Sequence, residues 1–425
     1  MLRFARMRRS FVAALLAVVL GGAGAARAGE PTAVPAAAAP APPPASADPL
    51  SIYVMTFGPG DHPFFKFGHD ALLVRDRVTG RDLVYNFGTF RFAPGLIGEF
   101  MKGRLTYWLS VSSLSVTMAS YERENRTIVL QELALPPEAK RELVARLEEN
   151  ARPDKREYKY DYFLDNCSTR VRDAVDRATG GALHAVARAP GRLTLREQAL
   201  RMTADAVPLY LALDLVLAGA TDRPIDRWAE MYIPEELERA LRTVTVPGPA
   251  GPRPLVASEQ TAFTAERPPP LERPPARFVP LLLVGLGIAL VFVALGWAAP
   301  HRPPVRALFG IVVAAWGLLV GFIGCFLVYT WTMTDHVVAH RNENIFQCAP
   351  WSVSLAVLGV GVALGWRRAT LNALRVAVAA LLFAVLGWGL KAFPPFHQHN
   401  AELIALLLPP WFGMAIGLLH TRHGS

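Results

Sequence analysis

His69 and Cys167 are the two residues of this chain whose types and settings point to chemistry. His69 stands in Phe67-Gly68-His69-Asp70, at the head of a strand-like run. Cys167 stands in Asp165-Asn166-Cys167-Ser168-Thr169-Arg170, at the head of a helix-like run. Cysteine is a useful nucleophile as its thiolate; a free thiol titrates near ~8.5, and a helix N-terminus or a nearby imidazolium lowers that value. In the first turn of a helix, Cys167 meets the positive end of the dipole and unpaired backbone N–H groups, which also suit an acyl oxyanion. His69 lies almost a hundred residues earlier, so the fold has to bring the base to the thiol. Each residue alone has a plainer reading, a small buried cysteine and a hydrogen-bonded surface histidine. Their joint occurrence in a domain with no other cysteine favours the pair.

The elements that must position them are legible in outline. Ser51–Phe57 reads as a strand, and His69–Arg75 and Asp82–Phe87 as two more joined by a turn at Thr79-Gly80. Glu138–Glu149 has a helical apolar spacing at Leu143 and Leu147. Asp165–Ala178 is a second helix, capped by Asn166 or Asp165, with an apolar stripe of Val171, Ala174, Val175 and Ala178 and a stop at Gly180-Gly181. This predicts an α+β domain with a small early sheet. A helix N-terminus packed on a strand that carries the histidine is the papain-like arrangement.

Composition places that domain at a membrane. The 425-residue chain is 52% hydrophobic, with the excess after residue 277. Five apolar runs follow, at 278–298, 307–334, 350–366, 371–393 and 401–420. Each is near the ~20 residues needed to cross hydrocarbon, the third being the shortest. The net charge of +9 comes from arginines scattered over chain ends and loops, which argues against nucleic-acid binding. With the N-terminal domain outside, Arg302, Arg306, Arg367, Arg368, Arg375 and Arg422 are cytoplasmic, and only Arg341 and Lys391 fall in the outer loops, as the positive-inside rule requires. Trp297, Trp331, Trp351 and Trp411 stand near run ends, as interfacial anchors do. Residues 1–28 have the basic start, short apolar stretch and Ala26-Arg27-Ala28 site of an export signal. The expected order is then a linker at 29–49, an extracytoplasmic domain at 50–245, a Pro-rich linker at 246–277, a five-helix membrane domain at 278–420 and a cytoplasmic tail at 421–425. Of the other cysteines, Cys325 falls inside an apolar run and Cys348 at a membrane edge.

Three blocks carry a family resemblance: Phe67-Gly68-His69-Asp70-Ala71-Leu72-Leu73-Val74, then Val84-Tyr85-Asn86-Phe87-Gly88-Thr89-Phe90, then Tyr158-x-Tyr160-x-x-Phe163-x-x-Asn166-Cys167-Ser168-Thr169-Arg170-x-Arg172-Asp173. With Leu217-x-Gly219-x-x-Asp222-Arg223-Pro224 and Tyr232-Ile233-Pro234, they resemble the Lnb N-terminal periplasmic domain family. The helical part looks like the membrane domain of Lnb-type lipoprotein N-acyltransferases. The resemblance implies a permuted NlpC-type, papain-like fold in which the histidine precedes the cysteine. It implies Cys167 as acyl-accepting nucleophile and His69 as general base, in the bacterial inner membrane with the catalytic domain periplasmic. Asn86 is the candidate third residue, because papain-like sites often use Asn. Its strand parity matches that of the core-facing set. A two-residue turn at Thr79-Gly80, however, pairs Asn86 with Leu73 and leaves it some four residues along from His69, so a longer loop or a bulge is required.

Around this pair, Arg170 and Arg172 are candidates for a lipid phosphate or else ion-pair partners of Asp173 and Asp176. The outer loops gather His336, His340, Asn342 and Asn344, and then His399 and Asn400, which are candidates for shaping the lipid and amine sites or else simply solvated loop residues. His336 and His340 are spaced for one helix face, yet no third ligand accompanies them and no metal is expected. The implied reaction moves an acyl chain from a membrane glycerolipid to the N-terminal cysteine amine of a lipoprotein. The donor ester holds the energy, so no cofactor is required. A thiol phospholipase, a cell-wall peptidase and a non-enzymatic membrane partner remain as alternatives.

Overall fold

The computed structural model describes residues 48–91, 95–248 and 251–423; the expected export signal lies outside them, as does nearly all of the first linker. Seven antiparallel strands form one sheet in the order β6-β4-β3-β2-β1-β5-β7. They are β1 (Leu50–Phe57), β2 (His69–Asp76), β3 (Arg81–Thr89), β4 (Thr106–Ser113), β5 (Ile128–Leu133), β6 (Glu157–Lys159) and β7 (Val256–Phe263). The sheet is larger than the small one expected, and β7 corrects the linker assignment at 246–277. Val256–Phe263 pairs with Ile128–Leu133 at the sheet edge and is exposed along most of its length. A strand exposed on both faces has no apolar alternation, so among prolines it reads as a loop.

The central strands are buried on both faces. Ile52, Val54, Leu72, Val74, Tyr85 and Phe87 pack on one side against helices α3 (Pro137–Asn150) and α4 (Cys167–Ala178) through Leu143, Leu147, Val171 and Val175. Met55, Phe57, Ala71, Leu73 and Val84 pack on the other side against Leu114, Met118 and Tyr121 of α2 (Leu114–Arg123). A short helix, α1 (Leu96–Lys102), lies between β3 and β4. After α4 come α5 (Leu195–Met202), α6 (Val207–Val216) and α7 (Pro234–Leu241).

The C-terminal part is helical. Four helices are long and apolar enough to cross a membrane: α8 (Phe278–Ala298), α9 (Pro303–Met333), α11 (Arg367–Leu390) and α12 (Ala401–His423). The third expected run is a broken element. Val337–Phe346 and Pro350–Ala363 meet at 64°, and its regular helix α10 spans only Leu355–Ala363. Glycines on α9 set its course. A Cβ on Gly324 would meet the Cys348 carbonyl, one on Gly317 the Leu355 side chain, and one on Gly310 the Ala363 backbone. The segment therefore runs antiparallel along α9, and Gly365 arrives beside Arg306 at its far end. Small residues permit the close approach, as in helix pairs packed in lipid. Trp297, Trp331 and Trp351 are exposed near helix ends, but Trp411 is fully buried and donates Nε1–H to the Gln347 carbonyl at 3.2 Å. It stands mid-helix beyond Pro409 and Pro410, so its place is packing and not anchoring.

Candidate active site

Cys167 is the first residue of α4. Asn166 caps it: its side chain accepts from the Thr169 N–H at 2.9 Å, and Thr169 Oγ1 accepts from the Asn166 N–H at 2.8 Å. The Asn166 amide also donates to the Tyr162 and Tyr232 carbonyls, and Ser168 Oγ donates to the Met231 carbonyl at 2.7 Å. These bonds give the Tyr232-Ile233-Pro234 stretch its purpose, which is to brace the turn that presents the thiol. Pro234 also packs against Gly68.

His69 opens β2 opposite Phe57, at the same end of the sheet. Its Nε2–H donates to Asn86 Oδ1 in a short hydrogen bond, which leaves Nδ1 as the basic nitrogen. The turn between β2 and β3 makes this contact. It is four residues long, Arg77–Gly80, because the Asp76 carboxylate accepts from the N–H groups of Val78 and Thr79 and from the Thr79 hydroxyl. Asp76 therefore pairs with Arg81 and Leu72 with Tyr85, which moves Asn86 two places closer to His69 than the two-residue turn would. Diagonal side chains on one sheet face meet at that spacing.

Gly88 marks the point where His69 and Cys167 come together. The β3–β4 register shifts between Asn86 and Thr89, and Gly88 adopts φ +85° there. A Cβ on Gly88 would lie 3.3 Å from Cys167 Cβ, 3.7 Å from His69 Cε1 and 3.9 Å from Tyr158 Oη. Cys167, His69 and Tyr158 thus border one point, and a glycine leaves it open. A glycine within a strand is the sequence signal of such close approach. The backbone N–H groups of Asp70 and Ser168 face the sulfur and favour the thiolate, as does the charge of Arg126. Burial outweighs them, and with the Asp70 carboxylate it pushes the Cys167 thiol up to about 12. Burial likewise lowers His69 to about 4 against the opposing bond from Asn86. The helix terminus is present as expected, but its effect is overridden. The resting pair is a neutral thiol beside a neutral imidazole, so a thiolate forms there only if the proton moves. Asp70 points to the opposite sheet face from His69, accepts from Thr56 Oγ1 at 2.8 Å, and is pushed up to about 7 by burial.

The other expected residues fall in three places. Arg170 is held by Asp165 through two bonds of 2.6 and 2.7 Å, and Arg172 pairs with Asp173. Beyond Arg170, a cavity of about 400 Å³ runs between α3 and α4 past Asp165, Leu164 and Phe87. His336 and His340 do not share a helix face, because they flank the short turn Val337–Ala339; their Nε2 atoms meet the carbonyls of Phe100 and Thr334. His336 ends a series of ring contacts that starts beside Cys167. Tyr107 stacks on Tyr160 at 4.0 Å, Tyr160 meets Tyr162 at 5.6 Å, and Tyr162 meets His336 at 6.3 Å. Asn342, Asn344, His399 and Asn400 belong to a joint instead. Asn342 and Asn344 donate to the Leu215 carbonyl at the end of α6, the His399 N–H donates to Asp222 at 3.0 Å, and Asn400 donates to Asn344. The Leu217–Asp222 stretch is the domain's half of this joint; the Gly219 carbonyl meets His397 and the Leu217 carbonyl meets Gln398.

Residues 44–199 match the model of the Lnb N-terminal periplasmic domain family. The N-terminal unit is similar to the Lnb domain. The match includes His69, Asn86, Gly88, Tyr158 and Cys167, and ends before the joint and the apolar helices. Neither the curated proteins nor the solved structures contain a match to the chain. The match to this periplasmic domain family and the long apolar helices together point to a membrane protein with a periplasmic domain. The sequence singles out Cys167 and His69, which the fold brings together, and gives no role to Gly88 or Tyr158.

Proposed function

We propose that this protein is an acyltransferase that moves a fatty acyl chain from a membrane glycerolipid, through a thioester on Cys167, to the N-terminal amine of a bacterial lipoprotein. The observation that carries the reading is the convergence of Cys167 and the Asn86-held His69 over Gly88, with ring contacts leading from there to the loop that follows α9. A thiol and base suit any acyl transfer. The ring contacts that lead from them to the loop following α9, a helix long enough to span a bilayer, favour a lipid ester as donor. His69 Nδ1 takes the thiol proton as sulfur attacks the ester carbonyl, and passes it to the departing lipid alcohol. The acceptor amine then attacks the thioester and yields its proton to His69. In this reading five passes, counting the broken segment, set the protein in the inner membrane with the joint at its outer face.

The test uses cells lacking other N-acyltransferases. Cys167→Ala and His69→Ala are each expected to abolish N-acylation of lipoprotein peptides, scored by mass spectrometry, while the protein accumulates normally. Wild-type N-acylation in either variant overturns the mechanism. Release of lyso-lipid with no acylated peptide would make the protein a thiol phospholipase.

A further inference from the structure

We propose that the Tyr158 hydroxyl is the oxyanion donor at Cys167, with Arg170 as its positioning residue. The proposal rests on the acyl-transfer reading above. Tyr158 Oη is buried and has no hydrogen-bond partner among the described residues. It borders the same point over Gly88 as Cys167 and His69. The backbone group facing it is the Gly88 N–H, itself a donor, so no described group accepts the hydroxyl proton. Buried polar groups ordinarily have partners, and an orphan beside a nucleophile is one whose partner arrives with the substrate.

The surroundings fix the ring. Tyr158 pairs with Tyr107 across the β4–β6 ladder. The Arg170 guanidinium lies 3.8 Å from the ring centroid, clamped from behind by both Asp165 oxygens. Arg170 thus contributes through Tyr158, and its charge is already committed to Asp165. Burial and the nearby Cys167 hold the phenol above its usual range, so it stays a donor at physiological pH.

The division of labour follows from where charge develops. The Asp70 and Ser168 N–H groups face the sulfur and serve the thiolate before attack. When the S–C bond forms, the carbonyl π pair moves to oxygen, and Tyr158 donates to that oxygen. Collapse breaks the C–O bond of the ester, and His69 protonates the leaving alcohol. Amine attack on the thioester regenerates the oxyanion, the C–S bond breaks, and the amine proton passes through His69 back to sulfur. Tyr158 keeps its own proton throughout.

The test measures acyl-Cys167 formation by the purified full-length protein from phospholipid micelles without acceptor, by intact-protein mass spectrometry. Tyr158→Phe removes a hydroxyl whose proton has no acceptor among the described residues. It is expected to slow acylation by about 100-fold or more, with KM for phospholipid and the pH profile of iodoacetamide alkylation at Cys167 unchanged. Arg170→Lys keeps a cation over the ring but loses the fork; a smaller loss of rate is expected, again with alkylation unchanged. Wild-type acylation rates in Tyr158→Phe overturn the proposal. A parallel loss of alkylation also overturns it, since Tyr158 would then serve the thiol. If the wild-type protein itself forms no acyl-Cys167, the acyl-transfer reading fails first, and that result is visible before any variant is compared.

Discussion

Cys167 is enclosed by the sheet, by Tyr107, Tyr158 and Tyr160, and by the neutral His69, so a charged sulfur is disfavoured at rest. This has a direct consequence for pH dependence. His69, lowered to about 4, is neutral and competent as a base above that pH, while the thiol stays protonated until about 12. The fraction present as thiolate therefore grows about tenfold per pH unit across the neutral range. Iodoacetamide alkylation of Cys167 is expected to rise continuously from pH 5 to 9. A plateau between pH 5 and 8 would instead show a preformed thiolate–imidazolium pair. At the same scale, the cysteine and the histidine stood out by residue type and setting, and Asn86 through the resemblance, with strand parity in its favour. Its reach to His69 was not legible, because the Asp76 side chain builds a four-residue turn where Thr79-Gly80 alone suggested two residues.

Among the elements, α4 and the β2–β3 hairpin were readable because apolar residues recur at the helical and strand periods on faces that are buried. The joint was readable only as polar loops. Asn342 and Asn344 cap the carbonyls that α6 leaves unpaired, a role set by contacts more than a hundred residues apart. Asn342→Ala strips the Leu215 and Val216 carbonyls of a shared donor. Leaving such a buried group unsatisfied costs about 1–3 kcal/mol. The variant is expected to melt at lower temperature in detergent and to lose N-acylation in cells, while Cys167 alkylation in the folded protein stays normal. An unchanged melting temperature would mean that the joint contributes nothing to cohesion. Arg196, buried between Asp214 and Asp222 at 2.8 and 2.7 Å, anchors the domain's side of the same joint.

At the scale of the whole molecule, α8 and α12 run parallel in close contact, since Gly285 meets Ala405 and Gly296 meets Gly417. A Cβ on Gly296 would stand 2.2 Å from the Gly417 Cα, a distance that backbone movement alone can relieve. Gly296→Leu is expected to separate the pair and reduce the folded yield in detergent, whereas Gly287→Leu, where a Cβ meets nothing within 4 Å, is expected to be neutral. Equal yields would refute this packing. By itself the sequence determined that an α+β domain precedes a set of apolar helices, and it singled out Cys167 and His69 as candidates, because burial period, hydropathy and residue type are local properties. Only the tertiary structure decided that Gly88 is where they meet, that Tyr158 faces the same point without a partner, that Val256–Phe263 closes the sheet and that the polar loops form a joint. Those facts depend on register, positive φ and contacts between distant segments, and no single stretch of chain contains them.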